Sequence, residues 1–207
     1  MKTVTMGADN STMTDRLPIF PLQTVLFPNA VLPLRVFEAR YMDMTSRCLK
    51  DNTVFGVNLI AEGPEVGAPA IPHAVGVSAR ITEWDMSEPG LLHLVTVGEQ
   101  RYRIVHAEVG ENGLLMADVE WIDPAPACPI PQDCAGLVVL LATIVQDAGA
   151  KHFPEPHRLD DAEWVGMRLA GVLPIPLLAR QRLLELDDPI QRIEIINTYL
   201  RQQGLKA

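Results

Sequence analysis

The sequence predicts an α+β chain: an N-terminal antiparallel sheet curled into a pseudo-barrel with one helix, then a C-terminal bundle of about four helices. Three observations predict it. Residues 16–124 hold several short runs of β-type residues separated by turn signals, the pattern of a small, strongly curved sheet. Past the proline-dense stretch Pro124-Ala-Pro-Ala-Cys-Pro-Ile-Pro131 the apolar period switches to that of a helix. Strands and helices do not alternate along the chain, as a parallel α/β sheet requires. The expected organisation is a polar, flexible leader over 1–15, a β-rich lobe over 16–124 and a helical lobe over 125–207, with the two lobes forming one domain.

The opening segment Leu17 to Tyr41 is the most informative. Pro18, Pro21, Pro28 and Pro33 punctuate its apolar pieces. Proline lacks a backbone donor and fixes φ, so these pieces read as short, edge-type or bulged strands. Phe37, Tyr41, Met44 and Cys48 follow at helical spacing and mark the inward face of a helix of about three turns. Thr53 to Ala61 and Ala74 to Trp84 read as strands. So does Leu92 to Val97, which Gly98 is expected to end, followed by Arg101 to His106. Leu114 to Ile122 completes the set after the turn Glu111-Asn-Gly113.

In the second half, Asp133 to Asp147 is apolar almost throughout and stops before Gly149, a suitable C′ residue. Asp161 to Val172 is a second helix with Asp160 expected as its cap, and Pro176 to Leu186 a third. Asp188-Pro-Ile-Gln191 is a strong helix start, with an Asp cap and proline at the first helical position. Ile193, Ile196 and Leu200 then form the inward stripe. Each helix is too short to stand without neighbours.

Composition excludes several function classes. The balance of 17 Lys+Arg against 26 Asp+Glu gives a net charge of −9, which opposes nonspecific binding to nucleic acid or anionic membrane. No apolar run reaches the roughly 20 residues of a membrane span. With no secretory signal and three cysteines (Cys48, Cys128, Cys134) at no metal or redox spacing, free thiols in a reducing cytoplasm are expected. Phosphate-loop, dinucleotide and nucleophile-elbow motifs are missing. Lysine stands only at 2, 50, 151 and 206, leaving no Ser–Lys dyad in a core element. His152-Phe-Pro-Glu155-Pro-His157 offers three ligand types, but its prolines make it an extended loop rather than an aligned metal site. Asp160-Asp161 and Asp187-Asp188 precede helices, where capping explains them better than acid–base chemistry. No cofactor, metal or catalytic residue is expected.

Candidate binding residues are aromatic and arginine side chains. Phe37, Tyr41 and Trp164 lie on apolar helical faces and are expected in the core; Trp84 and Trp121 lie near strand ends and are expected at the surface. Arg35, Glu38 and Arg40 meet at a strand-to-helix junction. They form either an ion-pair cluster, the preferred reading, or a grip on peptide carboxylate or main chain.

Four passages resemble the N-terminal substrate-binding domain of Lon proteases. They are Leu17-Pro-Ile-Phe-Pro-Leu22 with Leu26-Phe-Pro28, and Leu32-Pro-Leu-Arg-Val-Phe-Glu-Ala-Arg-Tyr41. Next come Val75-Gly76 and Ala79 to Ile81 with Gly98-Glu-Gln-Arg101-Tyr-Arg-Ile104, and last Leu183-Leu-Glu-Leu-Asp-Asp-Pro-Ile-Gln-Arg-Ile193. One departure is Val77, where the family often has threonine. The resemblance implies a PUA-like pseudo-barrel plus a helical bundle, and a stand-alone module that binds unfolded or tagged polypeptide without ATPase or protease parts. A protease or chaperone is the partner class implied with it. Arg35, Glu38, Arg40, Trp84, Arg101 and Trp121 are then the expected peptide-contacting set. Two alternatives stay open: a PUA-like RNA-binding module, and a small hydrolase with an unrecognised site.

Overall fold

The computed structural model describes residues 15–204, so the expected leader, Asp15 apart, lies outside the described residues. Seven strands are followed by the helical half: β1 (Asp15–Leu22), β2 (Val31–Val36), α1 (Ala39–Asp51), β3 (Phe55–Glu62), β4 (Ile71–Pro72), β5 (Val75–Glu88), β6 (Leu91–Val109), β7 (Leu115–Trp121), then α2 (Ala135–Ala148), α3 (Ala162–Val172), α4 (Leu177–Glu185) and α5 (Pro189–Gln202). The α+β class and the four helices after the proline segment are as expected.

Strand pairing runs β1-β7-β6-β5-β3 and returns to β1, with β2 added to β6 and β4 to β3. The circuit closes without making a regular barrel, and one pair departs from the expected antiparallel sheet: β1 and β3 are parallel, Ile19 opposite Gly56 through Leu22 opposite Leu59. A parallel pair needs a long crossover, and β2 with α1 supplies it.

The prolines of β1 explain its double pairing. Asp15 to Ile19 pair with β7, and Ile19 to Leu22 pair with β3. Pro18 and Pro21 therefore each have a strand on one side only, the local equivalent of an edge, where a missing donor is tolerated.

Gly98 does not end a strand. It lies inside the 19-residue β6, where the partner changes from β2 (residues 92–97) to β7 (residues 102–109). A Cβ at this position would overlap the carbonyl oxygen of Phe27. Instead the bare backbone docks the 27–30 turn, with Gly98 N–H donating to Ala30 O at 2.9 Å and Asn29 N–H donating to Gly98 O at 2.7 Å.

Two helices, α5 and α3, start on an aspartate cap, the second with a correction. Asp188 Oδ1 accepts from Ile190 N at 2.9 Å, with Pro189 opening α5. The cap of α3 is Asp161, not Asp160: its Oδ1 accepts from Glu163 N at 3.1 Å. Asp161 Oδ1 also accepts from Cys128 N at 3.4 Å, so this carboxylate ties the proline segment to the helix start, which favours it over its neighbour.

One buried cluster joins both halves, running from Phe27, Val36 and Tyr41 to Leu137, Leu169 and Ile193. A smaller one, Leu17, Ile19, Tyr102, Leu115, Ala117 and Val119, fills the far side of the sheet. Within it the Tyr102 hydroxyl donates to Asn58 Oδ1 while Asn58 Nδ2 donates to His73 O at 2.9 Å. Gly56 and Gly76 leave the space this polar pair occupies.

Two outcomes follow from this packing. Gly98→Ala is expected to lower the free energy of unfolding by about 1–3 kcal/mol, the usual cost of overpacking, measured by urea denaturation. Burial holds the Tyr102 phenol well above its ordinary value near 10. The unfolded chain ionises first, so the stability from this group is complete below the ordinary phenol range and is lost as pH rises toward the folded value. Alkaline denaturation of Tyr102→Phe is expected to be shallower than that of the parent; identical slopes would show that Tyr102 does not govern it.

Candidate functional site

Strand β2 is bonded on one side only. Ala30 accepts from Gly98, and the alternation of an antiparallel ladder then makes Leu32, Leu34 and Val36 the residues bonded to β6. Val31, Pro33 and Arg35 turn their backbone groups to the outer edge, where Pro33's missing donor breaks no ladder bond. Among the described residues no strand pairs with that edge.

Two open grooves flank β2. The first, about 580 Å³, is bounded by Pro33–Arg35, by Glu83–Asp85 of β5 and by His93–Val95 of β6. Register sets its floor: Arg35, His93 and Asp85 form one row across three strands, and Leu34, Leu94 and Trp84 the next. The second groove, about 350 Å³, runs from Leu22–Thr24 along Leu32–Glu38 to Tyr41, with Glu65 and Val66 on its far wall. Their apolar contacts are exposed: Trp84 is 61% and Phe37 55% accessible. Phe37 lies at the end of the unpaired β2, while Trp84 stands on β5 with β6 between it and β2, and the two together make this face a candidate contact surface.

Phe37 corrects an expectation. Glu38, with φ −77° and ψ 133°, is the N-cap of α1, so Phe37 precedes the helix and its direction is not set by the helical period. Tyr41, Met44 and Cys48 do face inward, as Trp164 does on α3.

The second groove is braced from beneath. Buried Arg40 pairs with Glu38 at 2.9 Å and donates to Gly113 O at 3.0 Å. Its guanidinium also lies 4.6 Å over the Tyr41 ring, and that ring stacks on Phe20 at 3.9 Å. Burial pushes the Tyr41 phenol up, against the lowering effect of Arg40. The other Glu38 contact, Gly67 N–H to Oε2 at 3.3 Å, holds the 63–70 loop against the groove.

The six expected contact residues separate. Arg35 lines both grooves, Trp84 the first and Glu38 the second. Arg40 is buried behind Glu38, and Arg35 is exposed and in no ion pair among the described residues, so only two of the three form the junction cluster. Arg101 is a correction: only 3% accessible, it donates to Leu184 O at 2.8 Å and Leu186 O at 2.9 Å and pairs with Asp187 at 3.2 Å. Its β6 position turns it toward the end of α4. Trp121 lines neither groove; it is half-buried, donates to Asp15 Oδ2 at 2.6 Å and meets Tyr102 edge-on. Sequence reasoning missed Val66 and His93, whose place depends on strand register and a distant loop.

Fold and surface together define a mixed β/α domain with an open strand edge. The chain belongs to the LON substrate-binding domain family: the profile described as ATP-dependent protease La (LON) substrate-binding domain matches residues 16–202. It is 28% identical over 203 residues to Lon protease 2 of Herpetosiphon aurantiacus, covering 92% of this chain and 24% of that protein. Lon protease 1 of Bdellovibrio bacteriovorus is 27% identical over 99 residues, 46% of this chain and 12% of that one. The chain thus spans a quarter or less of these relatives. Among solved structures, a Lon N-terminal domain protein from Xanthomonas campestris superposes with a TM-score of 0.75 at 34% identity, covering 89% of this chain and 98% of that one. The N-terminal domain of the Mycobacterium avium complex Lon protease, at 17% identity, shares the fold with a TM-score of 0.64, over 89% and 97% of the two chains.

The exposure pattern is directly measurable. Trp84→Phe is expected to remove the most acrylamide-quenchable part of the tryptophan fluorescence, and Trp164→Phe to leave it. The reverse would place the open indole elsewhere.

Proposed function

We propose that this chain is a non-catalytic module that holds extended polypeptide along the outer edge of β2. The open outer edge of β2, with Phe37 exposed at its end and Trp84 exposed two strands inward on β5 across the first groove, carries the reading. An extended segment added there would gain main-chain hydrogen bonds at Val31 and Arg35, while its alternate side chains enter the grooves. Unfolded or tagged chains present such segments; folded ones do not.

Charge refines the substrate. Glu83 and Asp85 line one groove, Glu38 and Glu65 the other. Apolar segments carrying Lys or Arg fit this surface, whereas a phosphate backbone is repelled, so RNA gains no support. Burial pushes the thiols of Cys48, Cys128 and Cys134 up, which keeps them protonated and poor nucleophiles. Among the described residues no helix is long and apolar enough to cross a membrane. The proposed setting is the cytoplasm, beside a protease or chaperone that acts on what the module holds.

Affinity for a reduced, carboxymethylated polypeptide, followed by fluorescence anisotropy, tests the reading. Phe37→Ala and Trp84→Ala are each expected to weaken binding about tenfold, roughly 1.4 kcal/mol for loss of an aromatic anchor. Thermal stability should hardly change, because both side chains are exposed. A double variant that binds like the parent would refute the β2 surface.

A further inference from the structure

Four arginines are buried in this fold: Arg40, Arg101, Arg168 and Arg192. Three have a carboxylate partner, namely Glu38, Asp187 and Glu163 in turn. Arg168 has none among the described residues, although acidic residues outnumber basic ones by 26 to 17. A buried, uncompensated guanidinium is costly, so its retention calls for a reason.

Arg168 lines a cleft of about 170 Å³ between the Thr24–Leu32 segment and the helices, and Arg180 of α4 lines the same cleft. Arg168 is 4% accessible; one Nη donates to His152 O at 3.1 Å, and the guanidinium lies 4.7 Å over the Phe153 ring. Arg180 donates an Nη to Gly171 O at 2.6 Å and sits 5.9 Å over Phe27. In both side chains the Nε–H is buried and has no acceptor. Thr24 and His152 also line the cleft, and no carboxylate does. Burial holds the Arg168 guanidinium down to about 10 and lowers Arg180 as well, with no carboxylate opposing the effect in either.

We propose that this cleft is an oxyanion site, taking one carboxylate or phosphate group beside the guanidinium groups of Arg168 and Arg180. Arginine is the side chain suited to such planar or tetrahedral anions. The space holds roughly five waters at about 30 Å³ each, enough for one such group. The oxyanion can arrive in two ways. Free phosphate can enter alone. Alternatively, Thr24 and Leu32 are shared with the Phe37 groove, so a polypeptide lying antiparallel on β2 would bring its terminal carboxylate to this end. The site itself does not depend on the β2 reading, because inorganic phosphate probes it alone.

Calorimetric titration at constant ionic strength tests it on the whole chain, first with inorganic phosphate. The second probe is an apolar octapeptide, as the free acid and as its C-terminal amide. The parent is expected to bind phosphate or the free acid at one site per chain, and Arg168→Gln and Arg180→Gln to weaken that binding at least tenfold. A free acid that binds tightly and displaces phosphate, where its amide does not, identifies a polypeptide terminus as the source. Phosphate binding with acid and amide indistinguishable identifies a free anion. Both results support the site. Half-buried Arg180 carries the test should Arg168→Gln not fold. No uptake of either probe by the parent, or unchanged affinity in the variants, overturns the proposal.

Discussion

The C-terminal end of α4 is the point on which the two halves of this protein converge. A helix ends with carbonyls that have no partner inside it, and here two buried arginines take them. Arg101 from β6 donates to Leu184 O and Leu186 O. Arg192 from α5 donates to Leu183 O and Leu186 O and pairs with Glu163 of α3. Positive charge at a helix C-terminus also meets the favourable end of the helix dipole. Hydrogen bonds to charged groups are worth roughly 1.5–3 kcal/mol each, so four of them would rival the ~5–15 kcal/mol stability of a whole domain. The net gain is smaller, because burial lowers the Arg192 guanidinium despite the opposing effect of Glu163. Desolvation therefore outweighs attraction, and the clamp fixes orientation more than it adds stability.

That orientation reaches the proposed binding surface through one strand. Arg101 holds β6 against the helices, and β6 carries β2 on its other stretch, past the glycine where the 27–30 turn docks. Among the described residues no strand pairs with the outer edge of β2. Edge strands invite pairing with other chains, and proteins usually blunt them. Pro33 and Arg35 blunt this one in part: proline removes one donor and arginine adds charge. What remains is an open edge with Phe37 exposed at its end.

Local chemistry was legible in the sequence; long-range contacts were not. Asp188-Pro189 marked the start of α5 because a cap and an N1 proline act within one turn. The change of period after Pro131 marked the helical half for the same reason. Gly98 read as a stop, since the turn that needs its missing side chain lies some 70 positions earlier in the chain. The parallel β1–β3 pair was invisible because pairing direction depends on the crossover between strands. Phe37 fell on the helical period, yet sits one residue before the cap. Of the candidate surface, the exposure of Trp84 was legible, although β5 runs on past it to Glu88. The inward turn of Arg101 was not, because its partners are carbonyls some 80 positions away.

Amide hydrogen exchange on β2, with and without an unfolded polypeptide, is the most direct measurement of how this surface works. Added strand pairing predicts that the outward amides of Val31 and Arg35 slow on binding, while Leu32, Leu34 and Val36, already bonded to β6, change little. Protection that leaves Val31 and Arg35 untouched and appears instead on the helical half would contradict the account.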